Sequence, residues 1–281
     1  MDSRRNPWLA RSRGPAMTEA AAARLRRVSD YYDQTTTLYI RHFGTTLQAG
    51  LIGNNRDASG IQQMHNACIA RRAGLNGGER VLDAGCGVCG PAIDMAARLP
   101  GLSVIGVTIS GIQARLARRF VWRAGLQSRV HVVHADFLRL PLAGASVDVV
   151  LFLESAGYAH DQRPLFAEAR RVLATGGTLY VKDVFVRESD LSQSQERGIE
   201  QFNRAFAYDV RRVSETIAAI EAAGFATRRS TDFSPVITTE LFKRAMFVRN
   251  GPRLSLNDFG RRHYAAIARH PIYFAEIVAK K

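Results

Sequence analysis

A doubly wound α/β fold, a mostly parallel sheet covered by helices on both faces, is what this sequence predicts, on three observations. Strand-like runs at 80–84, 103–107, 130–134, 147–153 and 178–185 alternate with helical patterns at 91–99, 111–124 and 163–173. Such alternation over short connections builds parallel strand–helix–strand units. The segment VLDAGCGVCG at 81–90 sets Gly85, Gly87 and Gly90 in G-x-G-x-x-G spacing between a strand and a helix. Gly176-Gly177 follows the last of these helices, where a residue of positive φ commonly ends the helix.

The elements outside the alternation follow in order. Residues 1–27 are a basic lead-in, expected to be flexible, with Arg4, Arg5, Arg11 and Arg13 but no apolar core of a secretory leader. From about residue 24 to 52 the chain is predicted to be an interrupted helix that includes Tyr31-Tyr32-Asp33, and 61–73 is a further helix after a polar loop at 54–60. Beyond the fifth strand, 187–209 is a polar insertion dotted with aromatics, 210–223 a helix stopped by Gly224, and 226–232 a strand. A second insertion at 238–270 is rich in Arg, Phe and Tyr, and 273–279 alternates like a last strand.

Composition narrows the class. The 281 residues suffice for one substantial core, and 46% hydrophobic against 23% charged residues is ordinary for a globular chain. No run approaches the roughly 18 apolar residues of a membrane span. The formal charge of +14 points to an anionic partner. The basic residues lack the aromatic interleaving of a single-strand-binding groove, so no nucleic-acid partner is expected. Cys68, Cys86 and Cys89 form no disulfide-like pattern, which suggests a reducing, cytoplasmic setting. Self-association stays open.

A lone G-x-G-x-x-G ordinarily reads as a nicotinamide or flavin dinucleotide site. Two features argue against that here. Asp83 precedes the first glycine at the strand end, where it would repel a pyrophosphate and welcome a cationic amine. The second strand ends in Val107-Thr108, with no acid for a dinucleotide ribose. Taken with VIGVTISGIQ, HADFLRLP, SVDVVLFLES and RVLATGGTLYV, the loop resembles the class I S-adenosylmethionine-dependent methyltransferases over about residues 31–185 and again at the last strand.

That resemblance implies a Rossmann-like sheet of seven strands with the last antiparallel. It implies one domain over 28–281, with an N-terminal helical cap at 28–76 and lid insertions at 187–210 and 233–270. It further implies S-adenosyl-L-methionine as cofactor. Gly85 and Gly87 would lie beside its methionine part, Asp83 would face its ammonium, Asp136 would accept from the adenine amino group, and Phe137 would lie against the ring. Thr108, Ile109, Ser110 and Gln113 resemble the pattern of the cyclopropane fatty acid synthase, sterol and terpene C-methyltransferase group. There a threonine backbone and a glutamine amide replace the usual ribose acid. Tyr31-Tyr32-Asp33 likewise resembles the HYD of those enzymes, implying that Tyr32 closes over the cofactor. Plainer readings stand beside these: Asp136 as a turn acid, and Gln113 as an exposed helix residue. Cys86-x-x-Cys89 lacks a second pair and reads as packing within the loop, so no metal-ligand set is expected.

The stretch LFLESAGYAHD at 151–161 carries the acceptor chemistry. Methylation of an alkene carbon creates a carbocation that must be stabilised and deprotonated. Glu154, at the end of the fourth strand, resembles the glutamate of sterol and prenyl diphosphate C-methyltransferases. A carboxylate about 5 Å from a cation, at an effective dielectric near 20, contributes roughly 3 kcal/mol, or about two orders of magnitude in rate. Glu154 could also take the proton; as a plain alternative it caps the following loop. His160 is a candidate relay or phosphate ligand, or a surface residue. Tyr31, Tyr158, Phe206, Tyr208, Phe247 and Tyr264 are candidate acceptor walls, and Arg244 a candidate partner for an anionic head. The combination of aromatics and arginines in the insertions suits a small isoprenoid diphosphate, with Mg²⁺ at its phosphates. The expected reaction is therefore C-methylation of a prenyl diphosphate alkene. O- or N-methylation of a secondary metabolite and sterol-like C-methylation are the alternatives.

Overall fold

The structure, a computed structural model, describes residues 18–53, 60–239 and 272–281. Its centre is one mixed sheet. The parallel strands are β2 (Arg80–Ala84), β3 (Ser103–Thr108), β4 (Val130–His134), β5 (Val147–Leu153) and β6 (Leu173–Val186). With β8 (Ala226–Asp232) and β10 (Ile272–Lys280) they stand in the order β4-β3-β2-β5-β6-β10-β8. β10 runs antiparallel to both β6 and β8, as the family resemblance implies for the last strand. A two-residue strand, β7 (Arg211–Arg212), adds to β6.

The central strands read as mostly apolar runs because both faces are covered. Val81, Val104 and Val149 pack against α2 (Ile61–Ala73), α3 (Gly90–Arg98) and α4 (Gly111–Arg123). Leu82, Ile105 and Val150 pack against α5 (Gln162–Val172) and α7 (Val213–Ala222). Glu276 is the exception in the buried face of β10. Its carboxylate is enclosed by Arg72 and Arg229, which hold it below the usual range despite burial.

A third apolar cluster joins α1 (Glu19–Phe43) to α6 (Gln193–Phe206), through Tyr39, Phe43, Phe206 and Tyr208. α1 starts at Glu19, capped by the Thr18 hydroxyl, which accepts from Ala21 N at 3.3 Å. The helix therefore reaches into the stretch read from sequence as a flexible lead-in. Tertiary anchoring explains the difference: Arg24 donates to the Tyr158 carbonyl at 3.3 Å and to Asp209 at 2.9 Å. The first insertion is ordered around α6, which opens on a capping box of Ser192 and Gln195. β1 (Leu51–Ile52) pairs antiparallel with β9 (Ile237–Thr238), tying the N-terminal loop to the segment after β8. Most of the second insertion, with Arg244, Phe247 and Tyr264, lies outside the described residues.

Candidate active site

Two cavities open side by side beyond the carboxyl ends of the parallel strands, where doubly wound sheets bind ligands. The first is built by strand ends. Asp83 comes from β2 and Gly85 from the turn after it, Thr108 from β3, Asp136 and Phe137 from the loop after β4, and Glu154 from just beyond β5. Gly85 takes φ +91°, and a Cβ there would stand 2.5 Å from that of Ser155. Only glycine lets the two strand-end loops approach so closely. Gln113 is buried, not exposed. It accepts from the Thr108 hydroxyl at 2.7 Å through its amide oxygen, which leaves the amide nitrogen as its donor toward the cavity. α4 begins on the Ser110 hydroxyl, which accepts from Gln113 N at 3.0 Å. Asp33 of α1 grips the same helix start, accepting from Ile112 N at 3.1 Å and from the Ser110 hydroxyl.

The second cavity is aromatic. α1 supplies Tyr31, Tyr32, Tyr39 and Phe43, α6 supplies Phe202 and Phe206, and Tyr158, Tyr208 and Phe274 close the wall. Phenols pair with one another, Tyr31 with Tyr39 and Tyr32 with Tyr158. Burial pushes the hydroxyl of Tyr32 up from its ordinary value. Tyr32, Leu47, Gln48, Glu154 and Tyr158 line both cavities.

Glu154 stands at this junction with φ +57°, in the left-handed region that a non-glycine residue rarely takes. Its Oε2 accepts from Ala49 N at 2.7 Å, and its Oε1 from Gly50 N at 3.2 Å and from the Lys182 ammonium. Lys182 is fully buried. It also donates to Gln48 Oε1 at 3.3 Å and to the Gly50 carbonyl. Gln48 in turn accepts from His65 at 3.0 Å; burial and the nearby Lys182 hold that imidazole well below its ordinary pKa, so it is neutral.

Similarity to known proteins agrees with this architecture. The family described as "Methyltransferase domain" matches residues 82–181. Methyltransferase GfsG of Streptomyces halstedii is 33% identical over 79% of this chain and 81% of its own length. The chain belongs to the class I S-adenosylmethionine-dependent methyltransferases.

Within that family, 24-methylenesterol C-methyltransferase 2 of Oryza sativa subsp. japonica is 30% identical over 80% of this chain. This methyltransferase spans 62% of the rice protein's length. In fold it matches the [4+2]-cyclase SpnF with a TM-score of 0.80, at 23% identity over 92% of this chain and 96% of that one. It matches geranyl diphosphate C-methyltransferase from Streptomyces coelicolor A3(2) with a TM-score of 0.74, at 18% identity over 95% and 99%. These two likenesses are of fold.

The methyltransferase's first cavity fits the family's cofactor. Asp83 Oδ2 is buried without a hydrogen-bond partner, and burial pushes the carboxyl up to about 7. An orphaned buried carboxylate is costly, and the cofactor's ammonium is a partner of the required sign. Thr108, Gln113 and Asp136 line the same cavity. Asp136 also caps its own turn, accepting from Leu138 N at 2.9 Å, so the plain reading holds in part. Cys86 and Cys89 fill the space above Gly106, where a Cβ would lie 2.6 Å from the Cys89 sulfur.

Two expectations change. His160 is 79% exposed, bonds Asp209 at 3.0 Å and lines neither cavity, so the structure does not bring it to the reacting centre. Glu154 is not an isolated charge. Paired with Lys182, it presents a dipole whose field falls off faster than that of the lone carboxylate assumed above. Sequence reasoning also missed Lys182, Asp183, Gln48 and Asp33. The signal for two of them was visible, because Lys182-Asp183 places adjacent charges inside a run that a covered strand should keep apolar.

Proposed function

We propose that this methyltransferase transfers a methyl group to an alkene carbon of an apolar isoprenoid acceptor held in the aromatic cavity. The observation that carries the reading is the wall itself: phenol and phenyl rings, packed edge-on or tilted against one another, around a cavity that adjoins the cofactor site. Ring faces attract a cation by about 0.5–2 kcal/mol each, most when water is excluded. A hydroxyl acceptor gains little from them. The sterol relatives, named as C-methyltransferases, support carbon as the methylated atom.

The bound cofactor supplies an electrophilic methyl on its sulfonium. The chain's own residues do the rest. Tyr32, Tyr158 and Glu154 border both cavities, so they control the line between donor and acceptor. Leu47 and Phe274 help keep water from a cation that water would trap.

Among the described residues no arginine lines the aromatic cavity. Arg204 pairs with Glu200 at 3.3 Å on the surface, and Arg211 bonds the His160 carbonyl. The described wall therefore suits an isoprenoid tail, and a prenyl diphosphate would need the arginines of the second insertion, Arg244 first, for its head. A sterol-like acceptor needs no such partner.

The test is methyl transfer by the full chain from labelled S-adenosylmethionine. The panel holds geranyl and farnesyl diphosphates with and without Mg²⁺, a sterol with an unsaturated side chain, and a hydroxylated apolar metabolite. Label in a new C–CH₃ bond of an isoprenoid is expected. Label on oxygen alone, or none in any acceptor, overturns the reading.

A further inference from the structure

We propose that Tyr208 and Asp183 form a buried relay that takes the proton the acceptor loses; the proposal rests on the methyl-transfer reading above.

The relay is the one arrangement in the aromatic wall, among the described residues, that joins a cavity-lining hydroxyl to a carboxylate. Tyr208 lines the cavity and donates its hydroxyl proton to Asp183 Oδ1. Asp183 sits behind it on β6, 2% exposed, and does not line the cavity. The tyrosine is held in place sterically. Its ring lies where a side chain on residue 157 would be, 2.2 Å from the Cβ position of Gly157, and Gly157 N donates to its oxygen at 3.3 Å. Tyr158 packs edge-on against it at 4.7 Å between centroids.

Glu154, Tyr32 and Tyr158 are engaged with other partners, and of Gln48 only the Nε2 donor, which cannot accept a proton, is without one. Glu154 has about four lone-pair directions, and Ala49 N, Gly50 N and Lys182 take three of them. Tyr32 and Tyr158 bond each other, and Gln48 serves His65 and Lys182. Asp183 differs. It accepts from Val184 N at 2.8 Å, Ala156 N at 3.1 Å and Tyr208, yet no described cation forms a salt bridge with it. Lys182, the next residue, turns its ammonium to Glu154 instead. The groups facing Asp183 are thus Tyr208, Glu154 and Lys182. Burial, helped by Glu154, moves its carboxyl up to about 7, while Tyr208 lies well above the ordinary phenol value. The phenol therefore hands a proton on and does not wait as phenolate.

The bookkeeping closes without a further reactant. The C–H bond beside the cationic carbon breaks, and its electron pair forms the product alkene. The proton goes to the Tyr208 oxygen as that oxygen's own proton passes to Asp183 Oδ1, leaving a neutral carboxyl.

Single-turnover methyl transfer should be followed at saturating cofactor on both sides of pH 7 for the wild type, Tyr208→Phe and Asp183→Asn, with cofactor affinity measured by calorimetry at each pH. Asp183 must be ionised to accept, so the wild-type rate rises with pH through about 7 and then levels. Tyr208→Phe keeps the ring against Gly157. It should lower the rate about 100-fold, the lower end of general-base contributions, with cofactor affinity unchanged. Asp183→Asn should lower it comparably and flatten the pH profile, which a purely structural role would not do. An active wild type matched by Tyr208→Phe in rate and profile overturns the relay alone. A wild type that binds cofactor but methylates no acceptor overturns the methyl-transfer reading and the relay with it.

Discussion

The two cavities share Tyr32, Leu47, Gln48, Glu154 and Tyr158, but they are assembled by different rules. The cofactor half is made by loops that leave successive parallel strands at one edge of the sheet. Its groups, Asp83, Thr108 and Asp136, each stand where a strand ends, so strand topology alone brings them together. The aromatic half, the proposed acceptor half, is made by rings from α1, the turn after β5, α6 and β10, elements far apart in the chain. They meet only because the third apolar cluster packs. One half is a property of topology, the other of packing.

Substitutions can break either half, and the largest effect is expected at their junction. Glu154→Gln leaves the fully buried Lys182 without its counter-charge, and breaking a buried pair from one side costs about 3–5 kcal/mol. Urea denaturation should show that loss. The double variant Glu154→Gln with Lys182→Met should recover much of it, since it removes both charges of the pair. Equal instability of the single and double variants would show that the ion pair is not what matters there.

Asp83→Asn should act on the cofactor half alone. A hydrogen bond to a charged group contributes about 1.5–3 kcal/mol, so affinity for the cofactor should fall roughly 10- to 100-fold by calorimetry. The wild type should lose affinity as pH falls through about 7, where the Asp83 carboxyl becomes neutral and its attraction for an ammonium ends. The asparagine variant should lack that dependence.

Gly157→Ala sharpens the contrast from the other side. The new methyl would meet the Tyr208 ring, and overpacking of this kind costs about 1–3 kcal/mol. Turnover should drop while cofactor affinity is kept; a parallel loss of both would mean that the halves are not separable. Last and smallest is His160→Ala. It removes an exposed pair with Asp209 and should leave turnover within about twofold in a steady-state assay.

The cofactor half was legible in the sequence because its signals are local. A glycine in the left-handed region, an acid at a strand end and a serine at a helix start each act within a few residues of where they stand. Gly85 and Asp83 could therefore be read one at a time, while Ser110 entered only as part of the family resemblance. The acceptor half was legible only as composition. Tyr31, Tyr158, Phe206 and Tyr208 could be named as candidate walls, but ordinary core aromatics look the same in a sequence. His160 carried a polar signal as strong as that of Glu154, six residues before it, and it faces solvent.

By itself the sequence determined the order of strands and helices, the parallel sheet, and the glycine-acid frame of the cofactor cavity. These follow from hydrophobic periodicity and from backbone geometry that few residues can meet. Only the tertiary structure decided that Lys182 neutralises Glu154, that Asp183 lies behind Tyr208, and that α1 is tied to the loops beyond the strand ends through Arg24 and Asp33. Those pairings depend on which remote side chains share one low-dielectric space, and there the cost of an unpaired charge, rather than any local preference, selects the partner.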